Sequence, residues 1–347
     1  MLVEHIDQFI RNPDAGDFDE LVREAFQYQY ERLEAYRKLC QRSGVEPAQV
    51  VDWRQVPVIP ALAYKSLDLS VGSGGEVFRS SGTTTDRPSV HRHGFPELYR
   101  ATIDASFPPS VLGAAELRPM LSLIPDRQQA PESSLSFMVD QVLMKWGTED
   151  SITAFGTRGV NARRARSFLG ARQRDRQPTL ILSTAFALAQ LLEALDRFDL
   201  RFRLPPGSTV FETGGYKGRS RAVPSEELHR QLQDRLALQP GMIVREYGMT
   251  ELTSQFYTGA LRGSDPGLFV APHWVRVRIL DPETLNEAPP GATGLICVFD
   301  LANLSSAIHL LTEDLGVAEE GGFRLQGRAA GAELRGCSLT VEELTQP

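Results

Sequence analysis

The sequence predicts an α/β protein of helix-covered, largely parallel sheets, joined to a small β subdomain near its C-terminus. Two observations carry this prediction. Between residues 120 and 244, short and wholly apolar runs alternate with helical patterns, as in parallel strands buried on both faces. After about residue 265 the texture changes to strict apolar–polar alternation between proline and glycine turns, the mark of antiparallel strands.

Taken in order, Phe18 to Cys40 reads as one long helix, with Leu21, Phe26, Leu33, Tyr36 and Leu39 on one stripe and Ser43-Gly44 ending it. Trp53 to Leu69 is punctuated by prolines and predicts an extended, surface-crossing segment. Pro96 suits the first turn of a helix through Phe107. Strands are expected at Met120–Ile124, Thr179–Leu182, Thr209–Phe211 and Met242–Val244. Helices are expected at Ser133–Trp146, Ala185–Phe198 and Pro224–Leu238. Trp274–Ile279 and Leu295–Phe299 then alternate cleanly around Asp281-Pro282 and Pro289-Pro290-Gly291.

The chain has 347 residues, 41% of them hydrophobic and 23% charged, with a net charge of −7. That is ordinary for a globular protein and argues against a general nucleic-acid or anionic-membrane surface. No apolar run approaches a membrane span, and Met1–His5 does not open a secretory signal. Cys40, Cys297 and Cys337 are spaced for neither zinc nor a disulfide framework, so a cytoplasmic location is expected. Arg163–Arg166 and Arg172–Arg176 read as a solvated basic face. His91 and His93 share one face of a strand; a metal pair lacks a third ligand, which leaves a surface strand. The helices Phe95–Phe107 and Ala185–Phe198 suit core packing or the wall of an acyl tunnel.

Three polar loops follow strand signals. Ser80-Ser81-Gly82-Thr83-Thr84-Thr85, between Arg79 and Arg87, is a run of hydroxyls and backbone N–H groups suited to a polyphosphate. Glu212 to Gly218 offers adjacent glycines, Tyr216 and Lys217. Glu246-Tyr247-Gly248-Met249-Thr250-Glu251 adds an aromatic face, a hydroxyl and a hard carboxylate ligand.

Ser80–Thr85 resembles the phosphate loop of adenylate-forming enzymes, the acyl-CoA synthetase, adenylation-domain and luciferase superfamily. Tyr247-Gly248-Met249-Thr250-Glu251 is similar to their Y-G-x-T-E motif, Leu311–Gly316 to their T-G-D segment, and Gly327-Arg328 to their hinge-proximal pair. Within that superfamily the chain resembles in particular the acyl-protein synthetases, the long-chain-fatty-acid–luciferin-component ligases. Phe78–Thr84, Ser133–Met138, Thr213–Gly218 and Arg335–Leu339 carry that likeness.

The resemblance implies a ligase that uses ATP and Mg²⁺ to activate a fatty or aryl acid as an acyl-adenylate, releasing pyrophosphate. The acyl group then passes to a thiol, with Cys337 as the candidate acceptor. It implies that Ser80, Ser81, Thr83 and Thr84 hold the β- and γ-phosphates, with Gly82 and Thr85 in the same ATP-binding loop. Gly214, Gly215, Tyr247 and Gly248 would serve the adenine, and Thr250 the α-phosphate. Glu251 would hold Mg²⁺, Asp314 the ribose, and Arg328 ribose or phosphate.

Residues 1–322 would form the N-terminal domain, with the β-rich subdomain at about 265–322. Residues 323–347 would form the hinge and remnant of a truncated C-terminal lid. Thr85 and Arg87 stand where glycine and lysine are usual, and no lysine follows Lys217. Adenylation would then run without the lid lysine, or with Lys65 or Lys217 in its place, or slowly. Expected partners are a small carboxylic acid and an acyl-acceptor protein, carrier protein or acyl-reductase. A CoA ligase, a carrier-protein- or amine-loading enzyme of the phenylacetate-CoA ligase type, and a degenerate non-catalytic nucleotide-binding protein are the alternatives.

Overall fold

A computed structural model of the chain describes residues 1–80, 87–113, 117–157, 159–214, 224–263 and 265–329. The chain divides into two compact units, the first made of Met1–Ser106, Met249–Phe256 and the chain from Leu268 onward. The second is made of Phe107–Gly248 and Tyr257–Gly267.

The second unit contains the parallel sheet that the alternating pattern predicts. Its strands run Ile243–Tyr247, Thr209–Thr213, Leu180–Thr184, Met120–Ser122 and Ile152–Thr153, each parallel to its neighbour. Helices Ser134–Trp146, Ala162–Asp175, Ala185–Asp196 and Ser225–Leu236 connect them. The helix starts are written locally: Ser133 accepts from the Ser136 N–H, Asn161 from Arg164 and Thr184 from Ala187. Leu121, Ile181 and Val210 of the strands pack with Leu188, Leu191 and Leu232 of the helices in one core. The basic helix is not wholly solvated. Arg172 is buried, its guanidinium 3.0 Å from Asp150 and 3.3 Å from Asp175. A buried guanidinium needs such partners, and spacing along one helix does not show them.

In the first unit the antiparallel strands run Val275–Leu280, Thr293–Asp300, His309–Glu319, Gly322–Arg328 and Phe269–Val270. Ile59–Pro60 adds to His309–Glu319 in parallel. A separate hairpin pairs Glu76–Arg79 with Val90–His93. Gly75, at φ +92, leads into it; a Cβ there would lie 2.0 Å from the His93 carbonyl oxygen, so only glycine fits.

Two expectations are corrected in this unit. The helix over Phe18–Cys40 is two helices, Phe18–Arg32 and Glu34–Arg42, broken at Leu33 in extended backbone. The two halves have different partners. Gln29 is fully buried, and its amide spans Asn303, Leu304 and Ile308, whereas Tyr36 donates to the Pro57 carbonyl at 2.8 Å. One straight rod does not satisfy both. The Trp53–Leu69 segment is not a surface crossing either: it contains turns at Trp53–Gln55 and Ala61–Lys65, and Trp53, Ile59 and Tyr64 are buried. Prolines prevent a regular element there but not burial.

Candidate active site

In the first unit, the candidate site begins at the neck of the Ser80–Arg87 loop. Ser80 follows the outgoing strand of the hairpin and Ser89 precedes the returning one. The Ser80 N–H donates to the Ser89 carbonyl at 3.0 Å, and the Ser89 N–H donates to the Ser80 hydroxyl at 2.9 Å. Ser80 therefore closes the loop base with the hydroxyl that the resemblance assigns to phosphate. Ser81, Gly82, Thr83, Thr84 and Thr85 lie outside the described residues.

Ser89 links this neck to the motif carboxylate, because its side chain lies close enough to Glu251 to lower the pKa of that group. Glu251 is buried, and burial first of all raises its pKa; Ser89 lowers it, Glu313 raises it again and Lys65 lowers it. Arg328 pairs with Glu313 at 2.6 Å and also feels Asp314 and Glu251. The strand pairing sets Asp314 opposite Arg328, and the Asp314 N–H donates to the Thr312 hydroxyl at 3.1 Å. Glu251, Asp314 and Arg328 are thus brought together within one unit, with Glu313 and Lys65 added.

The segment carrying Thr250 and Glu251 is held in place by side chains distant in sequence. Asp300, fully buried at the end of its strand, accepts from the Thr253 N–H at 3.1 Å and the Ser254 N–H at 2.8 Å. It also accepts from the Ser254 hydroxyl at 2.7 Å. Asn303 donates to the Glu251 carbonyl at 3.0 Å and to the Ala307 carbonyl at 2.7 Å. Neither residue was legible as part of the site, although Asp300 and Asn303, polar residues at the end of an apolar strand, were the available signal.

His91 and His93 are not on a surface strand. Both are buried, at 2.7 Å from the Thr250 carbonyl oxygen and the Thr253 hydroxyl respectively. The hairpin packs that face inward, which its short alternation alone does not tell. Burial pushes the His91 pKa down to about 4 and that of His93 well below its usual value. Among the described residues no group of three or more His, Cys, Asp or Glu side chains is placed to hold a metal ion. The helix Pro96–Phe107 likewise turns polar groups inward: Thr102 donates to the Thr253 carbonyl at 3.0 Å, so its inner face braces the motif segment.

In the second unit, Gly214 follows the strand Thr209–Thr213 at φ +63, and Tyr247 closes the neighbouring strand, buried. The Thr213 hydroxyl donates to Glu246, and Glu212 pairs with His229. Gly248 leaves room for the Glu246 carboxylate, since a Cβ there would sit 2.3 Å from it. Gly215, Lys217 and Cys337 lie outside the described residues.

The fold is that of the adenylate-forming ligases. It matches the open conformation of 2-hydroxyisobutyryl-CoA ligase in complex with 2-HIB-AMP and CoA, at a TM-score of 0.65 and 15% identity. That match covers 89% of this chain and 74% of the other. It also matches ATP-bound MatB from Rhodopseudomonas palustris at a TM-score of 0.51 and 16% identity, over 73% of this chain and 47% of that one. The chain belongs to the family of acyl-protein synthetases, LuxE, whose family model matches residues 14–345. Two relatives are the long-chain-fatty-acid–luciferin-component ligases of Vibrio harveyi and Aliivibrio fischeri. The first is 24% identical over 341 residues, 93% of this chain and 86% of that protein. The second is 22% identical over 310 residues, 87% and 79%. The chain is accordingly a ligase of the acyl-protein synthetase class. No helix among the described residues is long and apolar enough to cross a membrane.

Proposed function

We propose that this chain uses ATP and Mg²⁺ to activate a fatty or aryl acid, and that the acyl group passes to a thiol, Cys337 being the acceptor. The observation that carries the reading is the placement of Glu251. It is buried, lies near the Ser89 side chain at the neck of the candidate phosphate loop, and shares its surroundings with Glu313 and Lys65. A buried carboxylate beside a second one is costly when charged, and a divalent cation offsets that cost. Mg²⁺ needs only one or two protein carboxylates plus substrate phosphates, so Glu251 fits the ion without a larger acidic cluster. When bound, the ion would neutralise charge on the phosphates.

This chain's residues position the rest. The loop from Ser80 to Thr85 would hold the β- and γ-phosphates and Thr250 the α-phosphate. Asp314 would accept from the ribose hydroxyls, with Arg328 beside ribose or phosphate. Gly214, Gly215, Tyr247 and Gly248 would serve the adenine, and Lys217 or Lys65 would supply a cation for the phosphates. The substrate carboxylate attacks the α-phosphorus and pyrophosphate leaves. The Cys337 thiolate then attacks the acyl carbon, and AMP leaves with the bonding pair.

Pyrophosphate exchange with ATP and Mg²⁺ across straight-chain fatty acids and aryl acids tests the first step. At least one acid is expected to support exchange, and Glu251→Gln is expected to slow it by about a hundredfold or more. No exchange with any acid, or an unchanged rate in Glu251→Gln, overturns the reading. Mass spectrometry tests the second step: an acyl adduct on Cys337, lost in Cys337→Ser, is expected. An adduct elsewhere, or transfer to CoA at an unaltered rate in Cys337→Ser, reassigns the acceptor.

A further inference from the structure

The proton directions in the buried cluster around Thr250–Thr253 follow from its hydrogen-bond partners alone. Asn303 faces two carbonyl oxygens, those of Glu251 and Ala307, so its amide nitrogen points there and its amide oxygen faces Thr253. The Thr253 hydroxyl lies 3.0 Å from that oxygen and must donate to it. Its proton is then spent, so it accepts from His93 Nε2, 2.7 Å away, and His93 carries its proton on Nε2. His91 Nδ1, 2.7 Å from the Thr250 carbonyl, must carry the proton of that ring. Burial keeps both rings neutral, which this arrangement requires.

The remaining nitrogens, Nε2 of His91 and Nδ1 of His93, are buried and have no hydrogen-bond partner among the described residues. Stranding them costs stability. The rings sit among aromatic neighbours, His91 edge-on to Tyr64 at 5.6 Å and His93 stacked on Tyr99 at 5.5 Å. A phenyl ring would fill either place without a stranded nitrogen. What an imidazole adds at position 91 is one directed N–H, and it points at the carbonyl immediately before Glu251.

We propose that His91 is a positioning residue for the adenylation step, fixing the Thr250–Glu251 peptide through its Nδ1–H bond, with His93 and Asn303 completing the brace. The peptide between Thr250 and Glu251 joins the candidate α-phosphate ligand to the candidate Mg²⁺ ligand. The Thr250 carbonyl is held by His91 and the Glu251 carbonyl by Asn303, so the two ends of residue 251 are fixed separately, one from a strand and one from a turn. Release of one end allows the carboxylate to swing while the fold remains. This inference rests on the reading that Thr250 and Glu251 act on the nucleotide.

Substitution at position 91 distinguishes positioning from packing. An asparagine places its amide nitrogen near the position of Nδ1, whereas a glutamine places it near that of Nε2. His91→Phe is expected to lower kcat for pyrophosphate exchange by about tenfold to a hundredfold and to raise the Mg²⁺ concentration needed for half-maximal rate, leaving KM for the acid unchanged. His91→Asn is expected to recover most of kcat and the Mg²⁺ dependence, and His91→Gln neither. Wild-type kcat in His91→Phe overturns the proposal, as does an Asn variant as slow as the Gln variant. Should His91→Phe fail to fold, the Asn and Gln pair carries the test. Glu251→Gln run alongside separates the two failures. If it retains full rate, the assignment of the site fails; if it is inactive while the position-91 variants are indifferent, only the brace fails.

Discussion

The side-chain amide of Asn303 donates to the main-chain carbonyl of Glu251 at 3.0 Å, joining a turn after the strand Thr293–Asp300 to the candidate metal ligand. A second donation to the Ala307 carbonyl and an acceptance from Thr253 use the rest of the amide. Asn303→Asp keeps the acceptor for Thr253 but aims a carboxylate at two carbonyl oxygens. Urea denaturation is expected to show a loss of about 2–4 kcal/mol from two stranded acceptors and an unpaired charge. A change below 0.5 kcal/mol, roughly the level of an indifferent surface substitution, would show the turn to be held by other means.

Ser80→Ala removes the acceptor for the Ser89 N–H at the loop neck. One lost hydrogen bond at a half-buried site costs about 1 kcal/mol of stability. The larger expected effect is on KM for ATP, which should rise about tenfold, because Ser89 also lies beside Glu251. Ser80→Thr keeps the acceptor and is expected to retain wild-type KM.

Gly75→Ala puts a methyl against the His93 carbonyl in backbone that L-residues rarely adopt. Strain and displacement of the hairpin together should cost at least about 3 kcal/mol, read as a fall in the midpoint of thermal unfolding. Gly72→Ala is the control: it has positive φ, but nothing lies within 4 Å of the new Cβ. Its cost is expected to be about 1 kcal/mol.

His309 is fully buried, with Nδ1 at 2.7 Å from the Val56 carbonyl, and burial depresses its pKa to about 4. Its unfolded value is near 6.5, so between pH 6.5 and 4 the unfolded chain binds a proton that the folded chain refuses. Stability contributed by the neutral ring is full above 6.5 and is lost as pH falls through that window, at about 1.4 kcal/mol per pH unit once the unfolded ring is charged. His91 and His93 act in the same direction. Asp300 and Glu251, whose pKa values burial raises, act oppositely above the usual carboxylate range. His309→Asn keeps a donor for Val56 and removes one titrating ring. The slope of unfolding free energy against pH between 6.5 and 4 should then flatten by one proton. An unaltered slope would mean that the ring takes up its proton in the folded protein.

Much of this protein was legible in its sequence because the deciding forces are local. Four of the five parallel strands of the second unit appear as apolar runs, and Ser133 and Thr184 mark helix starts with their own side chains. The motif from Tyr247 to Glu251 lies on consecutive residues, so its chemistry needs no fold to be seen. The break at Leu33, the burial of His91 and His93 and the roles of Asp300 and Asn303 depend on something else. Gln29 finds its partners some 274 residues along the chain, and His91 finds Thr250 159 residues away. A hydrogen bond of that separation leaves no period or spacing in the sequence, because each partner's residue type suits many environments. Sequence determined which elements form and which chemistry is present. Only the tertiary structure decided which carbonyl each buried donor holds, because desolvation makes a partner obligatory but does not name it.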